Sequence, residues 1–356
     1  MHRHVAARAH DELADSLGAA EREARRWTRL APESARAWSN LWDVLERQGR
    51  FTEAEQVAAR AAQIDRDPVA ATERTALHAI RLGNFDVADR VLRGAIQGGG
   101  VAAQNGAYWN LIISLRYQGR ANEAIEAARR FRELVGRAQP ATVEPTRSRP
   151  VAQAFADAGR YREAAALFDS AANWKSPDEP ESSQARERAW SLAHAARSLA
   201  AAGDTATLAA RANTIAAVAA MSGSGRDRGL ASYVRGLLLV ARNDLPNAVD
   251  SMRKSIYSLP AGYTRENYDL AQALLRLDRP QEAIAVLQPI MRSKLDASNY
   301  YVTQTEVREL LANAWTMAGR ADSASLHYEW VARAWERGDP PYAARAAAAR
   351  AAVGRR

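Results

Sequence analysis

Gly49-Arg50-Phe51-Thr52-Glu53-Ala54 decides the fold, because the chain repeats it. It returns as Gly83-Asn84-Phe85-Asp86-Val87-Ala88, as Gly119-Arg120-Ala121-Asn122-Glu123-Ala124 and as Gly159-Arg160-Tyr161-Arg162-Glu163-Ala164. A last clean copy is Gly319-Arg320-Ala321-Asp322-Ser323-Ala324, and weaker ones begin at Gly203, Asn243 and Asp278. The first interval is 34 residues, the next is 36, and the later ones run from 35 to 44. Self-similarity at this period marks a solenoid of small repeated units.

Each copy has a physical task. The Gly, or the Asn or Asp in its place, ends one helix where the backbone turns left-handed and a Cβ is a penalty. The small Ala five residues on sits where the second helix passes close to the first. Trp38, Leu41, Trp42 and Leu45 before Gly49, and Ala54, Ala58 and Ala61 after it, give each helix one apolar face at helical spacing. Two antiparallel helices per unit follow.

The pattern resembles the tetratricopeptide repeat. Trp38-x-x-Leu41-Trp42, Gly49-Arg50-Phe51, Ala54 and Asp67-Pro68 carry the likeness, with Trp42 in place of the family's small residue and Pro68 two places late. Tyr108-x-x-Leu111, Gly119 and Ala124 repeat it, and Gly236, Ala248 and Pro260 fall on the small, Ala and Pro positions. The resemblance implies an all-α, right-handed superhelix of about eight helix pairs, with a partial N-terminal repeat and a C-terminal capping helix. The stretch from Glu306 to Trp335 more loosely resembles the C-terminal repeat tails of bacterial multidomain regulators, signalling kinases or winged-helix activators, although no kinase or DNA-reading signature is present.

The array divides into a degenerate repeat at 1–34 and an N-terminal half at 35–138. An irregular, Pro-rich fourth unit at 139–182, a C-terminal half at 183–338 and a capping helix and tail at 339–356 complete it. Ala20, Ala24, Trp27 and Pro32 fit the frame of the first unit, whose own first helix, near Val5 to Leu13, is poorly formed. Such a start is expected where more protein precedes Met1, and open array ends invite self-association. Gly98-Gly99-Gly100 reads as a flexible joint. Pro140, Pro145 and Pro150 shorten the first helix of the fourth unit to about 150–158. The loop Ser176-Pro177-Asp178-Glu179-Pro180-Glu181 is an exposed insertion or a hinge between halves.

Composition narrows the function. The 356 residues contain no Cys, which excludes thiolate catalysis and Cys-based zinc sites. No apolar run is long enough to span a membrane and the start has no signal-peptide core, so the cytoplasm is the expected location. The net charge is +8, yet 46 of the 49 basic residues are Arg spread through every unit, so a nucleic-acid partner is disfavoured. No Walker, His-Glu-x-x-His or Gly-x-Ser-x-Gly pattern appears, and Gly223-Ser224-Gly225-Arg226-Asp227-Arg228-Gly229 is one residue too long for a dinucleotide fingerprint. His2-x-His4 lies at the end of the chain, and the other His residues are isolated. No catalytic residue, metal or cofactor is expected.

A binding groove is better supported. The resemblance implies that the first helix of each pair lines the concave side. Carried over unit by unit, it places Asn40, Asp43, Arg47, Arg74, Trp109, Asn110, Arg116 and Tyr117 there from the N-terminal half. The C-terminal half adds Trp190, His194, Arg197, Tyr233, Tyr268, Asp269, Gln272, Arg276 and Asn313. Aromatic and Arg side chains together make interface hot spots. Trp38, Trp42 and Trp315 read as core, and Trp190 fits either role. Trp109 reads as groove, since Tyr108 and Leu111-Ile112 supply packing, and then Trp109→Ala with Arg116→Glu leaves stability unchanged. The Lys/Asn clamp that would hold chaperone C-termini is absent, with Ser39, Asp43, Arg74 and Gly106 at its places. The expected function is a non-catalytic scaffold that holds a peptide or helical segment of a protein partner. A regulatory arm of a larger bacterial protein is the alternative, and Arg-driven nucleic-acid binding a third.

Overall fold

The computed structural model describes residues 17–64, 68–138, 144–176, 179–223, 225–256, 264–292 and 302–354. The expected helix near Val5, the His2/His4 pair, Asp67, Pro140, Pro177, Asp178 and Pro260 lie outside these residues. Among the described residues every regular element is helical.

A lone helix, α1 (Leu17–Leu30), precedes eight pairs. These are α2 (Ala35–Arg47) with α3 (Phe51–Ile64), α4 (Pro68–Leu82) with α5 (Phe85–Gly98), α6 (Val101–Tyr117) with α7 (Ala121–Ala138), and α8 (Glu144–Asp157) with α9 (Tyr161–Ala172). Then come α10 (Glu181–Ala201) with α11 (Thr205–Met221), α12 (Leu230–Ala241) with α13 (Leu245–Arg253), α14 (Thr264–Arg276) with α15 (Pro280–Leu287), and α16 (Gln304–Met317) with α17 (Ala321–Ala334). The last helix is α18 (Pro340–Val353).

The eight turns are built as the repeated hexapeptide requires. Gly49, Gly83, Gly119, Gly159, Gly203 and Gly319 have φ between 65° and 76°, and Asn243 and Asp278 stand at 60° and 56°. At each, the next N–H reaches back to the third carbonyl from the helix end, as in Arg50 N to Leu45 O at 3.0 Å and Arg160 N to Phe155 O at 2.8 Å. This bond closes a Schellman turn, which uses up carbonyls that would otherwise lack partners. Five residues on, Ala54, Ala88, Ala124, Ala164, Ala248, Ala283 and Ala324, and Leu208 in the fifth unit, are buried where the two helices meet. Ala20 and Ala24 of α1 are buried in the same way, which identifies α1 as the second helix of a partial repeat.

One local expectation is corrected. Helix α8 starts at Glu144 and carries Pro150 in its interior. Pro145 lies in the first turn, where an N–H has no helical partner anyway, so only Pro150 costs a hydrogen bond. The triglycine is a short link: Gly98 ends α5, Gly99 is extended and bonds Ala95 O, and Gly100 caps α6. At the Pro-rich loop, Ala172 of α9 and Ala185 of α10 lie in one buried cluster, so the stacking runs across it.

Neighbouring second helices are tied by a ladder of ion pairs. Glu21 meets Arg50 at 2.7 Å and Asp89 meets Arg120 at 2.7 Å. Arg25 meets Glu53 at 3.2 Å and Arg93 meets Glu123 at 3.1 Å, and Asp169–Arg211 and Arg253–Glu282 continue the series. Six of the 46 Arg residues are engaged in this ladder between repeats.

The array folds back on itself. Trp330, Trp335, Tyr342, Ala346 and Ala349 from the C-terminal end share a buried cluster with Ala79, Ile80, Phe85, Ala88, Ile113, Tyr117 and Ala121 of the second and third pairs. The capping helix α18 covers α17, as expected, and also reaches the N-terminal half.

Candidate functional site

First helices line the inner face, and their polar residues answer one another across units. Glu46 of α2 accepts His78 at 2.6 Å and faces Arg81 at 3.4 Å on α4. Arg116 of α6 pairs with Asp157 of α8, and Arg149 of α8 with Glu187 of α10. Arg197 of α10 reaches Asp269 of α14 at 3.2 Å, two units on, and the Tyr233 hydroxyl donates to the same carboxylate at 2.5 Å. Arg265 contacts His194 and pairs with Glu266 at 2.8 Å. Burial, then the charges of Arg265 and Arg149, hold the His194 pKa well below its ordinary value, so the ring is neutral.

These contacts fix where each expected groove residue lies. Arg47, Arg74, Asn110, Arg116, Tyr117, Trp190, His194, Tyr233 and Tyr268 are buried. Arg74 donates to Ser39 at 3.3 Å, Asn110 to its own helix at Gly106 O, and Trp190 Nε1 to Asp227 at 2.9 Å. Tyr117 lies under the C-terminal unit. Trp109 is half-buried, 5.7 Å from the Phe131 ring and against two core clusters. Arg116 is thus buried and paired, and Trp109 is half-buried against packed side chains. Asn40, Asp43 and Arg197 are half-buried, while Gln272, Arg276 and Asn313 are exposed.

A cavity of about 670 Å³ lies between the third and fourth pairs, the first helices of the C-terminal half and α18. Asp157, His194, Arg197, Arg265, Asp269 and Gln272 line one side, and Glu306, Tyr342 and Arg345 from the last unit line the other. Burial, then the charge of Asp157, raises the Glu306 pKa. A shallower depression of about 460 Å³ adjoins it through shared Leu237, Val240, Asp269 and Gln272. Its floor is Leu237, Val240, Leu275 and Leu310, and Arg276 stands among its lining residues. Both lie in the size range of ligand pockets. Among the described residues no three His, Asp or Glu side chains converge to hold a metal.

Helix pairs closed by left-handed turns, with a small buried residue five places on and first helices facing inward, define the architecture. The chain is an all-α solenoid of antiparallel helix pairs. No family model matches its sequence, and no curated protein does. Among solved structures it is similar to a tetratricopeptide repeat protein from Parabacteroides merdae, with 12% identity and a TM-score of 0.40 over 81% of this chain and 98% of that one. It is also similar to the APC/C hetero-tetramer Cut9–Hcn1, at 12% identity and a TM-score of 0.43 over 93% of this chain and 59% of that one. A third is Naa15/Naa10 bound to HypK-THB, at 13% identity and a TM-score of 0.33 over 99% of this chain and 54% of that one. At these identities the likeness is one of repeated helix pairs, and those proteins' binding surfaces do not transfer. No helix among the described residues is long and apolar enough to cross a membrane.

Sequence reasoning missed Arg265, Glu306, Tyr342 and Arg345 as lining residues. Arg265 and Glu306 lie near the starts of α14 and α16, ahead of the carried-over positions, and Tyr342 and Arg345 come from α18, which reaches this face because the array curls.

Proposed function

We propose that the protein is a non-catalytic interaction scaffold whose working surface is the inner groove of the C-terminal half, over α12, α14 and α16. The reading is carried by one observation: the half-buried Val240 and Leu275, with Leu237 and Leu310 beneath them, line a depression beside the exposed Gln272 and Arg276. An apolar floor with a cationic rim suits a partner segment bearing an aliphatic or aromatic anchor and a carboxylate, since a planar guanidinium pairs with carboxylates in two-point fashion. The mechanism is presentation of a preformed surface, with most inner polar groups already satisfied within the chain.

The test is capture from native lysate by wild type and by Gln272→Ala/Arg276→Glu, at two salt concentrations. Both residues are exposed, so the melting curve should barely move. A protein held by wild type at both salts and lost by the variant supports the reading. Equal retention by both overturns it, and retention only of nucleic acid that washes off with salt would favour Arg-driven binding instead.

A further inference from the structure

The last unit belongs to two cores at once. Val302, Val307, Leu310, Leu311 and Ala314 stack on the seventh pair and continue the solenoid. Trp330, Trp335 and Tyr342 turn the other way and pack against the second and third pairs. There, Trp330 meets Phe85 edge-on at 6.2 Å and lies beneath Arg308 at 4.2 Å and Arg333 at 5.3 Å. Arg345 stacks over Trp335 at 4.2 Å. These are hot-spot residue types, used within one chain.

The polar contacts read main-chain groups at helix ends. Asp339 N–H donates to Gly119 O at 2.9 Å, and its carboxylate accepts from Asn122 N–H at 2.9 Å. Asp339 thereby serves as a cap for α7, supplied from 217 residues away. Thr305 donates to Tyr117 O at 2.9 Å and Tyr342 to Asp157 O at 2.9 Å. The flanking Arg337–Asp86 pair, 2.8 Å apart, is solvent-exposed on both sides and adds little.

We propose that the C-terminal unit is a displaceable clasp that occupies the turn end of the second and third pairs, around Gly83, Phe85, Gly119 and Ala121, and controls access to it. The unit can leave that surface intact, because its Gly319 turn, its Thr303–Glu306 capping box and its stacking on the seventh pair are all made elsewhere. The surface under it, Ile80, Phe85, Ile113 and Tyr117 beside two carbonyls and a free helix start, then suits an aromatic and Arg-bearing helical hairpin of the kind the clasp presents. The inference extends the scaffold reading to the N-terminal half, and its test needs no partner, so its failure is separate from failed capture.

Because the chain has no Cys, single thiols can be placed at will. Spin labels at Arg90→Cys and Ala347→Cys, both exposed positions, report the distance across the clasp in the full chain. Wild type should give one narrow distance. Arg337→Ala/Asp339→Ala/Tyr342→Phe should add a longer population at unchanged helicity and speed thiol labelling of Ile113→Cys at least tenfold. Asp339→Ala alone, which removes the cap on α7, should act in the same direction more weakly, which guards against a triple variant that fails to fold. Unchanged distances and labelling in the triple variant and in Asp339→Ala would make the contact a permanent part of the fold. A broad, long distance in wild type would remove the clasp altogether.

Discussion

Replacing Gly119 by alanine should destabilise the protein more than the same change at Gly159, although both turns have nearly the same backbone. Gly119 stands at φ 65° and Gly159 at 74°. A left-handed alanine costs about 1–2 kcal/mol, partly offset by about 0.4–1 kcal/mol from a stiffer unfolded chain, so Gly159→Ala should cost roughly 1 kcal/mol. Nothing lies within 4 Å of a Cβ built at Gly159. At Gly119 the added Cβ would stand 2.5 Å from Tyr342 Cγ and 2.6 Å from its Cβ. Displacing a packed ring base adds about 1–3 kcal/mol, for a total of roughly 2–4 kcal/mol. Urea titration followed by circular dichroism reads the difference. The excess should vanish in a Tyr342→Gly background, where neither the ring nor the Cβ at 342 remains to meet the new methyl. Equal losses at the two glycines, or an excess that survives without the Tyr342 side chain, would refute the seating of α18 on this turn.

Arg116→Ala should lower stability by about 1–3 kcal/mol in thermal or chemical unfolding, because it removes the buried cation paired with Asp157 and leaves that carboxylate with Gln153 as a side-chain donor. Trp109→Ala should lower stability by about 3 kcal/mol as the Phe131 contact and two cluster faces are lost, and an unchanged melt would return Trp109 to a groove role. Burial and the nearby Arg308 charge bring the His327 pKa down from 6.5 to about 4. The unfolded chain therefore takes up the proton first. Stability present above pH 6.5 is lost as pH falls towards 4, by roughly 3 kcal/mol, and His327→Gln should flatten that slope in urea titrations at pH 7 and pH 4.5.

The turn hexapeptide was readable because its demands are local. A residue that accepts positive φ, a carbonyl three back from the helix end and a small side chain five on are all set within one helix junction, so Asn243 and Asp278 could be recognised beside the glycines. Pro150 misled because its penalty, one hydrogen bond, is local too, but the packing that outweighs it is not. The site was legible only in part. Gln272, Arg276 and Asn313 stand exposed on first helices where the frame put them, whereas Arg116, Trp190, His194 and Tyr233 occupy similar places and are buried. The frame gives the direction of a side chain from its own helix but not the depth of cover over it.

The amino-acid sequence by itself determined the helix pairs, their number, their turns and the inward face of each, since these follow from contacts within and between adjacent units. Tertiary structure alone decided which inner residues remain open. Curvature accumulates over eight units and brings Tyr342 onto Gly119 and Trp330 onto Phe85, contacts between residues more than 200 positions apart. Their partners are set by the summed rotation of every repeat between them, which no local pattern encodes.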